Sequence, residues 1–244
     1  MTATTIALTA GVALVAFLYS TVGHAGASGY IALMSLFGMA PTVIRPTALA
    51  LNILVACLAT WQFWHAGHFS WRLFWPFALA STPLAFLGGF LNLPTDLFKI
   101  LVGIVLLLSA VRFLVRPTPD TVAHEPSRPI AFGVGGVLGL LSGLTGTGGG
   151  IFLTPLLLFK RWALTKHAAA VSAAFILINS IAALVGNLSS TREFPPVALA
   201  LAAAALTGGA LGSYLGAERL PHTAIKRLLA IVLLIAGSKL IFTR

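Results

Sequence analysis

Residues Ser142–Gly150 read SGLTGTGGG inside an otherwise apolar stretch. Three adjacent glycines, Gly148 to Gly150, are poor helix interior, since each costs about 1 kcal/mol relative to alanine. The pattern therefore predicts a helix interrupted in the middle of hydrophobic sequence. A second cluster, STVGHAGASG at Ser20–Gly29, pairs Gly23 with Gly146 and Gly26 with Gly149. It differs in carrying Ala25, Ala27 and Ser28, with His24 where the other has Thr147.

The sequence around these clusters places the chain in lipid. Of 244 residues, 58% are apolar and 8% charged, and the mean hydropathy is +0.99. Soluble domains carry about 25% charged residues, so a water-soluble globule could not cover its surface with this composition. Fifteen Lys and Arg against five Asp and Glu give a net charge of +10. In a membrane chain such charge belongs to cytoplasmic loops, and no basic run interleaved with aromatics suggests nucleic acid. The single cysteine, Cys57, excludes an intramolecular disulfide and a Cys-pair metal site. The first apolar stretch lacks the basic start of a signal peptide and is expected to be retained as a helix.

Hydropathy predicts helices near 5–22, 26–39, 46–65, 72–91 and 95–114, then 130–144, 149–160, 166–188, 196–217 and 221–241. Arg116–Pro129 is Pro-rich and polar, the one convincing linker. It divides the chain into repeats at 1–115 and 130–244, joined by a cytoplasmic segment at 116–129. The halves resemble each other: LPTDLFKILVGIVLLLSAVR from Leu93 aligns with LPHTAIKRLLAIVLLIAGSK from Leu220, including Lys99 with Lys226 and Arg112 with Lys239.

Ile6–Gly38 is 33 residues, about 50 Å as one helix against a hydrocarbon core of roughly 30 Å. Bent back at its glycines, it becomes a hairpin that starts and finishes on one face. Each half then has three further crossings, so the second half starts from the opposite face. That topology gathers ten of the fifteen basic residues, among them Arg72, Arg128, Lys166 and Arg219, on one face. The positive-inside rule makes that face cytoplasmic and puts both termini outside the cytoplasm. The expected fold is all-α: a polytopic transmembrane bundle of two inverted repeats, each of about five helical segments, the first two broken by a Gly-rich motif.

Secondary transporters bind substrate where two interrupted helices meet near the midplane. A new helix N-terminus leaves N–H groups unpaired and carries partial positive charge, so two such ends facing each other suit an anion. The expected substrate-binding residues are Gly23, His24, Gly26 and Ser28 of the first break and Thr145, Gly146, Thr147, Gly148, Gly149 and Gly150 of the second. Asn52 and Asn179 join them, being at equivalent places in the helix after each break. His24 could donate to an oxyanion, carry a coupling proton, or be a structural histidine. Gly88, Gly89, Gly208, Gly209, Gly212 and Gly216 repeat at helical spacing and are expected to permit close helix packing. Arg45, before Pro46, is expected to snorkel to the outer interface or to attract anions there, the first reading being preferred. His65 and His68, with Trp61, Trp64, Trp71 and Trp75, suggest an interfacial aromatic belt, not a metal site.

SGLTGTGGGIFLTPLLLF (Ser142–Phe159) resembles the glycine signature of the TauE/SafE family of membrane proteins, the sulfite exporters. YSTVGHAGASGYIALMSLFG (Tyr19–Gly38) resembles its first-half counterpart, and the likeness covers essentially the whole chain. The resemblance implies a transporter, an exporter by the family's name, of sulfite or small organosulfur or sulfonate anions in the bacterial inner membrane. Its partners would be that small anionic substrate and membrane lipid, with no cofactor, no metal and no nucleic acid; the oligomeric state stays open.

Enzymatic function is not expected, because Asp96, Asp120, Glu125, Glu193 and Glu218 all lie in or next to loops and form no buried acid/base pair. GTGGG lacks the Gly-Lys-Ser/Thr ending of a phosphate loop. A passive anion channel, or a carrier for a non-sulfur organic anion, is the alternative.

Overall fold

A computed structural model describes residues 3–91, 107, 110–111, 121, 124–191 and 194–242. The expected helix at 95–114, apart from residues 107, 110 and 111, lies outside the described residues together with Lys99 and Arg112, as do half of the linker including Arg116 and Asp120, and Asp96, Arg192, Glu193, Arg244 and the side chain of Lys239. Among the described residues the chain is helical and contains no strand: α1 Ala3–Ser20, α2 Ala27–Leu36, α3 Pro41–His65, α4 Trp71–Phe90, α5 Arg128–Thr145, α6 Gly150–Phe159, α7 Thr165–Thr191, α8 Val197–Tyr214 and α9 His222–Phe242. A π-helical turn, Leu215–Arg219, ends α8. Helices α3, α4, α5, α7 and α8 through Arg219 are long and apolar enough to cross a bilayer. α2 and α6, at ten residues each, reach only about 15 Å and stop short.

Local chemistry accounts for the ends. Proline stands in the first turn of α3 and of α5, where its missing N–H costs nothing. Ser70 accepts from the Leu73 N–H at the start of α4, an N-cap.

Small residues let the helices pack backbone to backbone, as membrane bundles require. Gly135, Gly139 and Gly143 of α5 face Phe77, Ser81 and Ala85 of α4 in the same order, so these helices run parallel. A Cβ added at any of them would sit 2.2 to 2.5 Å from a carbonyl oxygen. A Cβ added at Gly208, Gly212 or Gly216 would strike the Ala13, Phe17 or Thr21 carbonyl, so α8 runs parallel to α1. Gly209 packs on Val55 and Ser213 donates to Gln62 Oε1 at 2.6 Å, which sets α3 parallel to α8. Asn52 reaches Ser180 while Ala59 and Phe63 pack with Ala169 and Ala173, so α3 and α7 are antiparallel. Leu73 shares a small cavity with His167 and Gly89 packs on Ala183, so α4 and α7 are parallel. Helices α1, α3 and α8 thus point one way and α4, α5 and α7 the other.

The loops after α3, before α5, between α6 and α7, and after α8 meet at one end. Arg72 Nε pairs with Glu125 at 2.8 Å, and Lys166 donates to the Ala217 carbonyl at 2.8 Å. Trp61, Trp64 and Trp71, each more than half exposed, flank this end and fit an interfacial belt.

His68 donates Nε2–H to the same Ala217 carbonyl at 3.3 Å. Partial burial, then the Lys166 charge, hold its pKa below the ordinary 6.5, against weaker opposing effects of the Ala217 bond and Glu218. The unfolded ring takes up a proton that the folded one refuses, so stability is lost as pH falls through about 6.5 towards the lower folded value. His68→Gln is expected to flatten the fall in Tm between about pH 7.5 and about pH 5.5. Equal falls in variant and wild type would remove His68 from the account.

Candidate functional site

Both helix breaks are made by glycines that take the same backbone conformation. At the first, α1 stops at Ser20, Gly23 turns with φ +75°, and Gly26 caps α2 with φ +105°. At the second, α5 stops at Thr145, Gly146 turns with φ +71°, and Gly148 and Gly149 follow at +77° and +80° before α6. L-residues with a Cβ avoid this left-handed region, so the turns need glycine. Each break folds the chain back: Gly29 of α2 packs on Val15 and Tyr19, and Gly11 on Leu33, so α2 returns antiparallel to α1.

The breaks meet through Asn52, which is fully buried on α3. Its Oδ1 accepts the Ala27 N–H at 2.9 Å, capping α2. Its Nδ2 donates to the Thr147 carbonyl and to Ser180 Oγ, both at 3.3 Å. One amide therefore ties the N-terminus of the first re-entrant helix to the loop of the second. A Cβ at Gly148 would strike Ile176, Ser180 and Asn52, and one at Gly149 would strike Phe175 and Ser142. Gly150 lies against Ile176.

His24, 2% exposed, bridges the halves from the first break to α6. Its Nε2 lies 2.9 Å from Thr154 Oγ1, and Thr154 in turn donates to Ser172 Oγ at 2.7 Å. With that proton committed, Thr154 accepts from the imidazole, so the neutral ring carries hydrogen on Nε2 and a lone pair on Nδ1. The ring lies beside the Gly150 backbone, and Nδ1 has no partner in hydrogen-bond geometry.

The other expected residues divide. Thr145 and Thr147 share a hydrogen bond at 2.8 Å, and Thr145 also donates to the Leu141 carbonyl. Ser28 donates to the Tyr19 hydroxyl at 3.1 Å within the first hairpin. Asn179 is fully buried on α7, next to Ser180, with neither amide atom bonded. Gly26 packs on Tyr30 and Val15, Gly23 on the Ala169 backbone, and Gly146 on Arg45.

Arg45 corrects the sequence-based expectation. It does not snorkel outward: its guanidinium donates to the carbonyls of Gly88 at 2.6 Å, Leu91 at 3.3 Å and Gly143. Those carbonyls belong to the ends of α4 and α5, which carry partial negative charge and have no helical partner. Arg45 therefore holds the second break in place. Thr154 and Ser180, which the sequence reading did not single out, take part in the bonds of His24 and Asn52, with Ser172 accepting from Thr154; an isolated Thr154 in the apolar α6 was the legible signal. Among the described residues neither carboxylate, Glu125 nor Glu218, is buried.

Residues 8–240 match the family model described as Sulfite exporter TauE/SafE. The chain is 39% identical over 233 residues to a probable membrane transporter protein, y4hK, of Sinorhizobium fredii, covering 93% of this chain and 94% of that protein. It is 29% identical over 128 residues to the probable membrane transporter protein MJ0441 of Methanocaldococcus jannaschii, about half of each chain (51% and 48%). It is 32% identical over 124 residues to the probable membrane transporter protein YunE of Bacillus subtilis, covering 51% of this chain and 44% of that one. No solved structure matches it.

Proposed function

Because the chain belongs to the TauE/SafE sulfite exporter family of membrane transporters, we propose that it is a secondary carrier of sulfite or small organosulfonate anions. The anion binds between the two glycine breaks, and alternating access exposes it to one face and then the other. The observation that carries this reading is Asn52, which joins both breaks at one buried depth. Inverted repeats at 1–115 and 130–244 are supported by helix direction, since α1, α3 and α8 point opposite to α5, α7 and α4, their counterparts. Rocking one half against the other about such a site is how inverted repeats move substrate. His24, Asn52, Ser142, Thr147 and Asn179 are each at most 7% exposed, which favours a carrier over an open channel. The end bearing Arg72, Lys166 and Arg219 is cytoplasmic by the positive-inside rule, in a bacterial inner membrane, with both chain termini on the far side.

The His24 Nδ1 lone pair is the proton acceptor of this scheme, loaded when an anion arrives. Uptake of radiolabelled sulfite into proteoliposomes, with and without a pH gradient, tests the whole. Saturable uptake, competed by sulfoacetate and accelerated by the gradient, is the expected result. A linear, unsaturable flux would indicate a channel, and no flux from folded protein would exclude these anions. His24→Ala is expected to abolish the gradient's effect; an unchanged pH profile would leave His24 a structural role alone.

A further inference from the structure

The two halves use their matched asparagines in opposite ways. Asn52 makes three hydrogen bonds and caps α2. Asn179 makes none, although it is fully buried. An unpaired amide in a dry interior is costly to keep, and membrane helices retain such polar groups at functional positions.

Two more buried polar atoms lack partners nearby, Ser142 Oγ and His24 Nδ1. Ser142 and His24 lie against α6, and Asn179 follows by one turn the α7 residues that pack on its first glycines. The Ser142 side chain lies 3.1 Å from where a Gly149 Cβ would be. His24 is bonded to Thr154 in the first turns of α6. Asn179 stands on α7 between Ile176, which packs on Gly148 and Gly150, and Ser180, which packs on Gly148; Phe175, one turn earlier, packs on Gly149. The N-terminus of α6 begins at Gly149, which has no side chain to cap it, whereas the Ala27 N–H that opens α2 is bonded to Asn52. The N-terminal end of α6, a free hydroxyl and a free amide NH2 together form a donor set for one small oxyanion.

We infer that the carrier holds its oxyanion at the second break alone, on the α6 N-terminus with Ser142 and Asn179, and that Asn179 is the side chain that determines specificity while Asn52 is structural. This rests on the anion-carrier reading above and makes the two half-sites unequal.

The test compares Asn179→Ala, Asn179→Ser and Asn52→Ala in the full chain, reading Tm in detergent with and without sulfite, and KM for sulfite in proteoliposomes. Asn179→Ala is expected to raise KM about tenfold or more and to lose the sulfite-dependent rise in Tm. Its Tm without sulfite should equal or exceed that of wild type, because an unsatisfied group has been removed. Asn179→Ser, which returns a donor, should recover part of the affinity. Asn52→Ala should lower Tm, because it leaves Ala27 N–H and the Thr147 carbonyl unpaired. Wild-type KM in Asn179→Ala, or a loss of Tm in it matching that of Asn52→Ala, would overturn the inference. If wild type neither transports sulfite nor is stabilised by it, the substrate reading fails. The Tm contrast between the two asparagines still decides the asymmetry in that case.

Discussion

Replacing Gly149 by alanine is expected to cut sulfite flux about tenfold or more, which corresponds to at least about 1.4 kcal/mol on the transport barrier or on binding. Two effects combine. Gly149 has φ +80°, a conformation that costs a residue with a Cβ about 1–2 kcal/mol. The new methyl would also lie 2.8 Å from Phe175 and 3.1 Å from Ser142 Cβ, forcing apart the α5–α7 contact around the α6 N-terminus. Gly38 and Gly67 separate these effects, since both have positive φ, +72° and +78°, yet nothing lies within 4 Å of an added Cβ. Gly38→Ala and Gly67→Ala should therefore pay the backbone strain and transport normally. Loss of flux in all three would mean that the strain, not the site, limits transport. Normal flux in well-folded Gly149→Ala would remove the second break from the pathway.

Arg45→Leu should be the most destabilising single change near the site, on the order of 3–5 kcal/mol, from three hydrogen bonds to a charged donor replaced by unpaired carbonyls. The Gly88, Leu91 and Gly143 carbonyls it satisfies end two helices. Without the guanidinium, two negative dipole ends would stand beside the second break and repel an approaching anion. Thermal unfolding in detergent should show a large drop in Tm, and any folded fraction should bind sulfite weakly. Arg45→Lys keeps the charge but not the planar fork and should be intermediate. An Arg45→Leu protein with wild-type Tm would show that water, not Arg45, serves those helix ends.

Much of this molecule was legible in the linear sequence. The breaks were visible at Gly146–Gly150 and Gly23–Gly26 because glycine's backbone preference is local and survives any tertiary context. Helix limits came within a few residues for the same reason: α5 begins at Arg128 where hydropathy suggested 130, and α2 ends at Leu36 instead of 39. The close-packing role of Gly208 and Gly212 also followed from spacing alone, since glycines four apart share a helix face. Arg45 was misread, because sequence shows that a cation stands near a helix start but not which carbonyls come within its reach.

Hydropathy, glycine placement and loop charge by themselves determined that this is a multi-pass helical membrane protein with two broken-helix motifs, because each is a property of a residue and its immediate neighbours. Tertiary structure alone decided how the polar residues are used: Asn52 bonded across 95 residues to Thr147, its counterpart Asn179 left unbonded, and Arg45 turned inward to Gly143, 98 residues away. The reason is geometric. A hydrogen bond forms only within about 3 Å and a narrow cone, and the register between helices that meets this condition is set by side-chain packing along their whole length.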